Sequence, residues 1–134
     1  GVGPVTALAL SVLTPPPETF KCGRDLAVRR DLAAWIGLTP RQQSSGGASR
    51  LGKTSKMGQR DLRRLLIIGA SAVVRWARRP ASAGRPAPDG SWLAGMLERK
   101  PPMLVTVALA NKTARIAWAL MARGGVYRAP AAAA

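Results

Sequence analysis

Apolar residues recur at three- and four-residue spacing through much of the chain, the spacing of one helix face, and proline, glycine and serine separate the periodic stretches. Pro4 suits the first turn of a helix running to about Leu13, where Thr14 and the run Pro15, Pro16, Pro17 stop it. A second helix is predicted from about Phe20 to Trp35. It contains a tandem hexad, Arg24 to Arg29 and then Arg30 to Trp35, which reads as a local duplication rather than a solenoid unit. Six extra residues turn everything downstream by about 240°. Gly37, Pro40, the string Ser44-Ser45-Gly46-Gly47, Gly52 and Gly58 then mark a long basic Gly/Ser loop.

The best helix is predicted from Gln59 or Arg60 to Arg79. With Arg60 at zero, Leu62, Leu65, Leu66, Gly69, Ala70, Val73, Trp76 and Ala77 fall between about 140° and 280°. Arg60, Arg63, Arg64, Arg75, Arg78 and Arg79 fall on the opposite side. Ile67, Ile68 and Val74 break the pattern by lying among the arginines, which implies a second packing partner there. Residues 80–90, rich in Ala, Gly and Pro, read as a linker or insert. Ser91 can cap a short helix to about Arg99, and a last helix, about Met103 to Arg123, stops at Gly124 and Gly125. Its apolar face carries Val107, Ala110, Ala114, Ala117, Trp118 and Met121. The expectation is an all-α domain of about five helices, one domain over 1–127, with a disordered tail at 128–134.

Charge changes the picture from a plain helical domain to one with a polyanionic partner. The formal net charge is +15, from 21 Lys and Arg against 6 Asp and Glu, and a field of that size attracts nucleic acid first and anionic membrane second. A membrane span is not expected, because Asn111, Lys112 and Arg115 interrupt the longest apolar stretch. Asp61 is the sole acid between Gln59 and Pro80, so the arginine face reads as a nucleic-acid contact. The single cysteine, Cys22, excludes an internal disulfide, and the absence of histidine excludes a zinc site of His ligands and a Ser-His or Cys-His pair. The acids are Glu18, Asp25, Asp31, Asp61, Asp89 and Glu98, too scattered for a self-contained metal site.

Three further features carry candidate chemistry. Gly1 to Ala7 is similar to the hairpin of helix-hairpin-helix modules, where glycines and a helix N-terminus approach a phosphate; an ordinary helix start is the alternative. Ser44-Ser45-Gly46-Gly47 followed by Arg50, Lys53 and Lys56 fits a nucleophilic serine on a flexible loop beside cations, or simply a turn, since no neighbour is an obvious general base. Trp35, Trp76, Trp92 and Trp118 could stack on bases, with Trp76 and Trp118 assigned to the core because they fall on apolar faces.

The string Leu32 to Gln42, then Ser44-Ser45-Gly46-Gly47, then Arg50-Leu51-Gly52-Lys53-Thr54-Ser55-Lys56-Met57-Gly58, resembles the C-terminal domain of transposases of the insertion-sequence-110 (110/116/902) family. Leu62 to Ala70 and Ala108 to Leu120 extend the resemblance to about Tyr127. It implies an enzyme that excises and inserts a mobile element using two domains. An N-terminal RuvC-like domain holds magnesium through acidic residues, and the C-terminal domain supplies a serine that attacks the DNA backbone. It also implies an element-encoded guide RNA and a multimeric assembly on DNA. By position the nucleophile is Ser44, with Ser45 as the fallback, and Arg41, Arg50, Lys53, Lys56, Arg60, Arg63 and Arg64 are the nucleic-acid contacts.

Three departures qualify these expectations, one being Ala48 where the resemblance would place Lys after the two glycines, although Lys53 and Lys56 remain. The acidic domain is absent from the chain, and the duplicated hexad precedes the serine loop. With no initiator Met and no signal-peptide pattern at Gly1, a truncated copy is expected, with no cofactor of its own and the cytoplasm as its compartment. The alternative is a stand-alone basic nucleic-acid-binding module without catalysis.

Overall fold

The computed structural model describes residues 1–20, 32–45, 48–79 and 90–128, with the backbone alone for 42–45 and 48–51. In chain order the elements are α1 (Pro4–Leu13), a 3-10 turn (Pro17–Thr19), α2 (Leu32–Ile36), β1 (Pro40–Ser45), β2 (Ala48–Thr54), α3 (Arg60–Ala77), α4 (Trp92–Arg99) and α5 (Pro102–Arg123). The mainly helical architecture matches expectation, and the long loop does not. In its place β1 and β2 form an antiparallel hairpin, in register from Pro40↔Thr54 to Ser45↔Ala48 with an irregularity between Pro40 and Gln42.

The body forms around α3 and α5, with α1 on α3, α2 against both, and α4 and the 3-10 turn on α5. Leu62, Leu66, Ala70 and Val74 are the buried residues of α3. They form a single row at four-residue spacing, the ridge that packs into a groove of a neighbouring helix. Opposite them α5 buries Val105, Thr106, Ala110 and Ala114. The small side chains of Ala70, Ala110 and Ala114 let the backbones come close, while Leu32, Ile36, Leu38, Leu62 and Leu66 fill the surrounding volume. Thr106 is tolerated in the core because its hydroxyl donates to the Pro102 carbonyl at 2.9 Å.

Local chemistry accounts for the helix ends. Pro4 and Pro102 occupy first-turn positions, where a missing N–H costs nothing. The Ser91 hydroxyl accepts from the Ala94 N–H at 3.2 Å, the expected cap of α4. Gly124, at φ 69°, ends α5 in a conformation open to glycine.

Some expectations are corrected. Phe20 is not helical: it lies in extended backbone after the 3-10 turn, buried and edge-on to Trp35 at 6.1 Å between ring centroids. Of the second predicted helix only Leu32–Ile36 is observed, and residues 21–31, with Cys22 and most of the duplicated hexads, lie outside the described residues. So do 80–89 and the tail from Ala129. Trp76 is not core but 51% exposed, with the Arg79 guanidinium 4.4 Å from its ring centroid. Val74 is buried instead, and Ile67 is partly buried against the core while Ile68 stays 55% exposed.

Two glycines give opposite expectations. Gly58 sits at φ 100°, and a Cβ there would overlap the Trp35 carbonyl. Gly58→Ala is therefore expected to cost about 1–3 kcal/mol or more of unfolding free energy. Gly95 lies inside α4 with only the end of the Arg99 side chain near its Cβ direction, so Gly95→Ala should add about 0.5–1 kcal/mol. Thermal unfolding of the two variants checks both signs.

Candidate serine hairpin and nucleic-acid interface

The hairpin is rooted where α2 ends, and five consecutive carbonyls define that root. The Trp35 carbonyl accepts from the Gln59 N–H at 3.4 Å, the Gly37 carbonyl from Lys56 N–H at 3.2 Å, and the Thr39 carbonyl from Ser55 N–H at 2.9 Å. Between them, the Ile36 carbonyl accepts from Arg63 Nη1 at 2.8 Å and the Leu38 carbonyl from Asn111 Nδ2 at 3.4 Å. The partners come from α3, α5 and the segment between β2 and α3. Gly37, at φ 80°, makes the crowding possible, since a Cβ would overlap the Met57 carbonyl. Lys56 takes φ 53°, a left-handed position in the same turn.

Beyond this root neither strand packs extensively on a helix among the described residues. Ser44 and Ser45 are the last two residues of β1, paired with Ser49 and Ala48 at the far end of the ladder. Gly46 and Gly47 lie outside the described residues. Successive positions of a pleated strand belong to opposite faces, so the two serines are alternatives rather than a pair.

The expected cations divide into groups. Arg50, paired with Gln43, shares the far end of the ladder with the serines. Arg41, Lys53 and Lys56 are exposed near the root, and Arg60 opens α3 just after it. Arg41 Nη2 donates to the Ser55 carbonyl at 3.4 Å, across the base of the ribbon. At about 3.4 Å per residue, Arg41 lies roughly 10 Å along the strand from Ser44. The root cations are thus set apart from the serines, which lie at the far end of the ladder. Arg64 is exposed beside them, whereas Arg63 is half-buried and committed to the Ile36 carbonyl, a structural task that sequence reading did not assign.

Two other expectations have a structural outcome. Gly3 precedes α1 as its cap and Pro4 follows, but Gly1 packs on α3, its carbonyl so close to Gly69 that a Cβ there would overlap it. Among the described residues no group of three or more metal-ligating side chains occurs, and no helix is long and apolar enough to cross a membrane. Sequence reasoning missed the hairpin itself. Its one signal was the Gly46-Gly47 dipeptide, a common two-residue hairpin connection, set between segments that lack apolar alternation.

Comparison with known proteins adds the following. Residues 1–84 match the family described as Transposase IS116/IS110/IS902. A putative transposase of Sinorhizobium fredii is 48% identical over 128 residues, 96% of this chain and 30% of that protein. A probable family 20 transposase of Pseudomonas aeruginosa is 46% identical, with 96% of this chain and 35% of that protein covered. The transposase for insertion sequence element IS1328 of Yersinia enterocolitica is 39% identical, with 95% and 35% covered. The chain thus spans about a third of the length of these relatives. No solved structure matches.

The root geometry separates two adjacent arginines. Arg63→Ala removes a charge-assisted bond and strands the Ile36 carbonyl, an expected loss of about 2 kcal/mol in denaturant unfolding. Arg64→Ala, on an exposed residue, should stay within about 0.5 kcal/mol of the parent.

Proposed function

The chain belongs to the IS116/IS110/IS902 family of transposases, and from that premise we propose that it is the part of a DNA transposase that grips nucleic acid and presents a serine hydroxyl to a DNA phosphate. The observation carrying this reading is the position of Ser44 and Ser45 at the far end of a ribbon whose root is bonded to the helical body. A nucleophile gains most when its approach is fixed before the substrate arrives, and a rooted hairpin supplies that constraint.

In this reading the Ser44 oxygen attacks the phosphorus of a DNA phosphodiester, a serine–phosphate ester forms, and the bond from phosphorus to the displaced sugar oxygen breaks. Attack on the ester by a sugar hydroxyl of another strand end releases the serine and completes strand transfer. Arg50 offsets charge developing on the phosphorus oxygens, and Arg41, Lys53, Lys56, Arg60 and Arg64 hold the flanking backbone. In this reading the groups that accept the serine proton and protonate the leaving oxygen come from the rest of the enzyme.

Among the described residues no cluster of side chains that could hold magnesium is found. We therefore place the magnesium-binding acidic, RuvC-like domain elsewhere in the full-length transposase, with this chain as its C-terminal domain. A guide RNA encoded by the element and assembly into a homo-oligomer on DNA complete the proposal.

Two measurements test it. Full-length transposase carrying this domain should form a covalent adduct with its element-end DNA, lost in Ser44→Ala and kept in Ser45→Ala; an adduct that survives Ser44→Ala removes Ser44 from the chemistry. For the chain alone, affinity for nonspecific duplex should fall by roughly 10³ or more between about 50 and 200 mM salt if six or more phosphates are contacted. A flat salt response contradicts the cationic grip.

A further inference from the structure

Away from the hairpin, Trp92, Lys112, Arg115, Ile116, Trp118 and Arg123 line a shallow groove of about 470 Å³ along α5 and the start of α4. The α5 members recur at helical spacing, so they form one continuous side of that helix. Trp118 is half-buried, its Nε1 donating to the Pro17 carbonyl at 3.3 Å, and acts as a fixed wall. Trp92 is the lip, 39% exposed, with Lys112 Nζ 4.3 Å from its ring centroid. Among the described residues three cations line the groove and no carboxylate does.

We propose that this groove is a second nucleic-acid site, one that takes an unpaired strand by stacking a base on Trp92 while Lys112, Arg115 and Arg123 hold its phosphates. The chemistry selects this ligand over duplex. A paired base keeps its faces inside the helix stack and offers an indole nothing to cover, whereas an unpaired base offers a whole π-face. The groove is open rather than enclosed, which suits a continuing strand better than a small molecule held on all sides. Lys112 covers the indole in the free protein. That contact is one partly buried cation on one ring, so an arriving base, which stacks over the whole face, displaces the amine toward the phosphate it accompanies. The site rests on its own residues and does not depend on the serine chemistry.

The test is fluorescence anisotropy of the full chain with labelled 12-nucleotide single-stranded RNA, single-stranded DNA and a duplex of the same length at fixed salt. Trp92→Ala should weaken single-strand binding about tenfold while duplex affinity changes less than about twofold. Trp92→Phe should recover most of the loss. Arg115→Gln should lower the single-strand salt slope by about 0.7. A loss confined to RNA assigns the strand to RNA, and a loss on both assigns recognition to base and phosphate alone. Thermal unfolding confirms that the variants fold, and repeating the comparison in a Ser44→Ala background should give the same Trp92 effect. Equal weakening of single strand and duplex by Trp92→Ala, unchanged single-strand affinity, or no single-strand binding by the parent would each overturn the proposal.

Discussion

A chain that leaves a helix and turns at once into a strand carries its last carbonyls into the packed interior, where each one without a partner costs about 1–3 kcal/mol. Here the carbonyls from Trp35 to Thr39 face that problem together. The structure answers it with five donors: three backbone amides from the segment after β2, one guanidinium from α3 and one amide side chain from α5. Because the donors belong to different elements, the direction in which the hairpin leaves the body is set by the packing of the whole domain. Shifting α3 against α5 would break Arg63 from Ile36 or Asn111 from Leu38.

Packing and charge are divided between two sides of the same helices. On α3 the row Leu62, Leu66, Ala70 and Val74 faces inward, while Arg60, Arg64 and Arg75, with Arg78 and Arg79 just past its end, stay exposed, Arg79 resting on Trp76. On α5, Ala110 and Ala114 lie in the core while Lys112, Arg115 and Arg123 line the groove. The interior holds the helices at fixed spacing. The exterior carries positive charge over separate surfaces, in keeping with the proposed grip on more than one segment of polyanion.

Helical periodicity made α1, α3, α4 and α5 legible, because their apolar residues recur at the helix period and Ser91, Pro4, Pro102 and Gly124 punctuate their ends. It misplaced Trp76 for a definite reason. An idealised wheel averages over a whole turn, whereas α3 packs through a single row at four-residue spacing, which reaches Val74 and leaves the wide indole outside. The hairpin was not legible as strands, since Pro40 to Ser45 contains no apolar residue to alternate. The division of labour between Arg63 and Arg64 was equally hidden, because Ile36 lies 27 positions from Arg63. The sequence therefore offered the candidate residues by type and neighbourhood, while the contact that sets Arg63 apart from Arg64 spans a long range and is visible only in the fold.

The most direct test of the account is native-state hydrogen exchange of the full chain, read at the amides of Ser55, Lys56 and Gln59. If the hairpin root is bonded into the body, these amides open only with the global transition and share the opening free energy of Leu66 and Ala70 in α3. Exchange at the rate of an unprotected loop while α3 stays protected would show that the ribbon hangs free, and a serine at its end would then have no fixed line of approach.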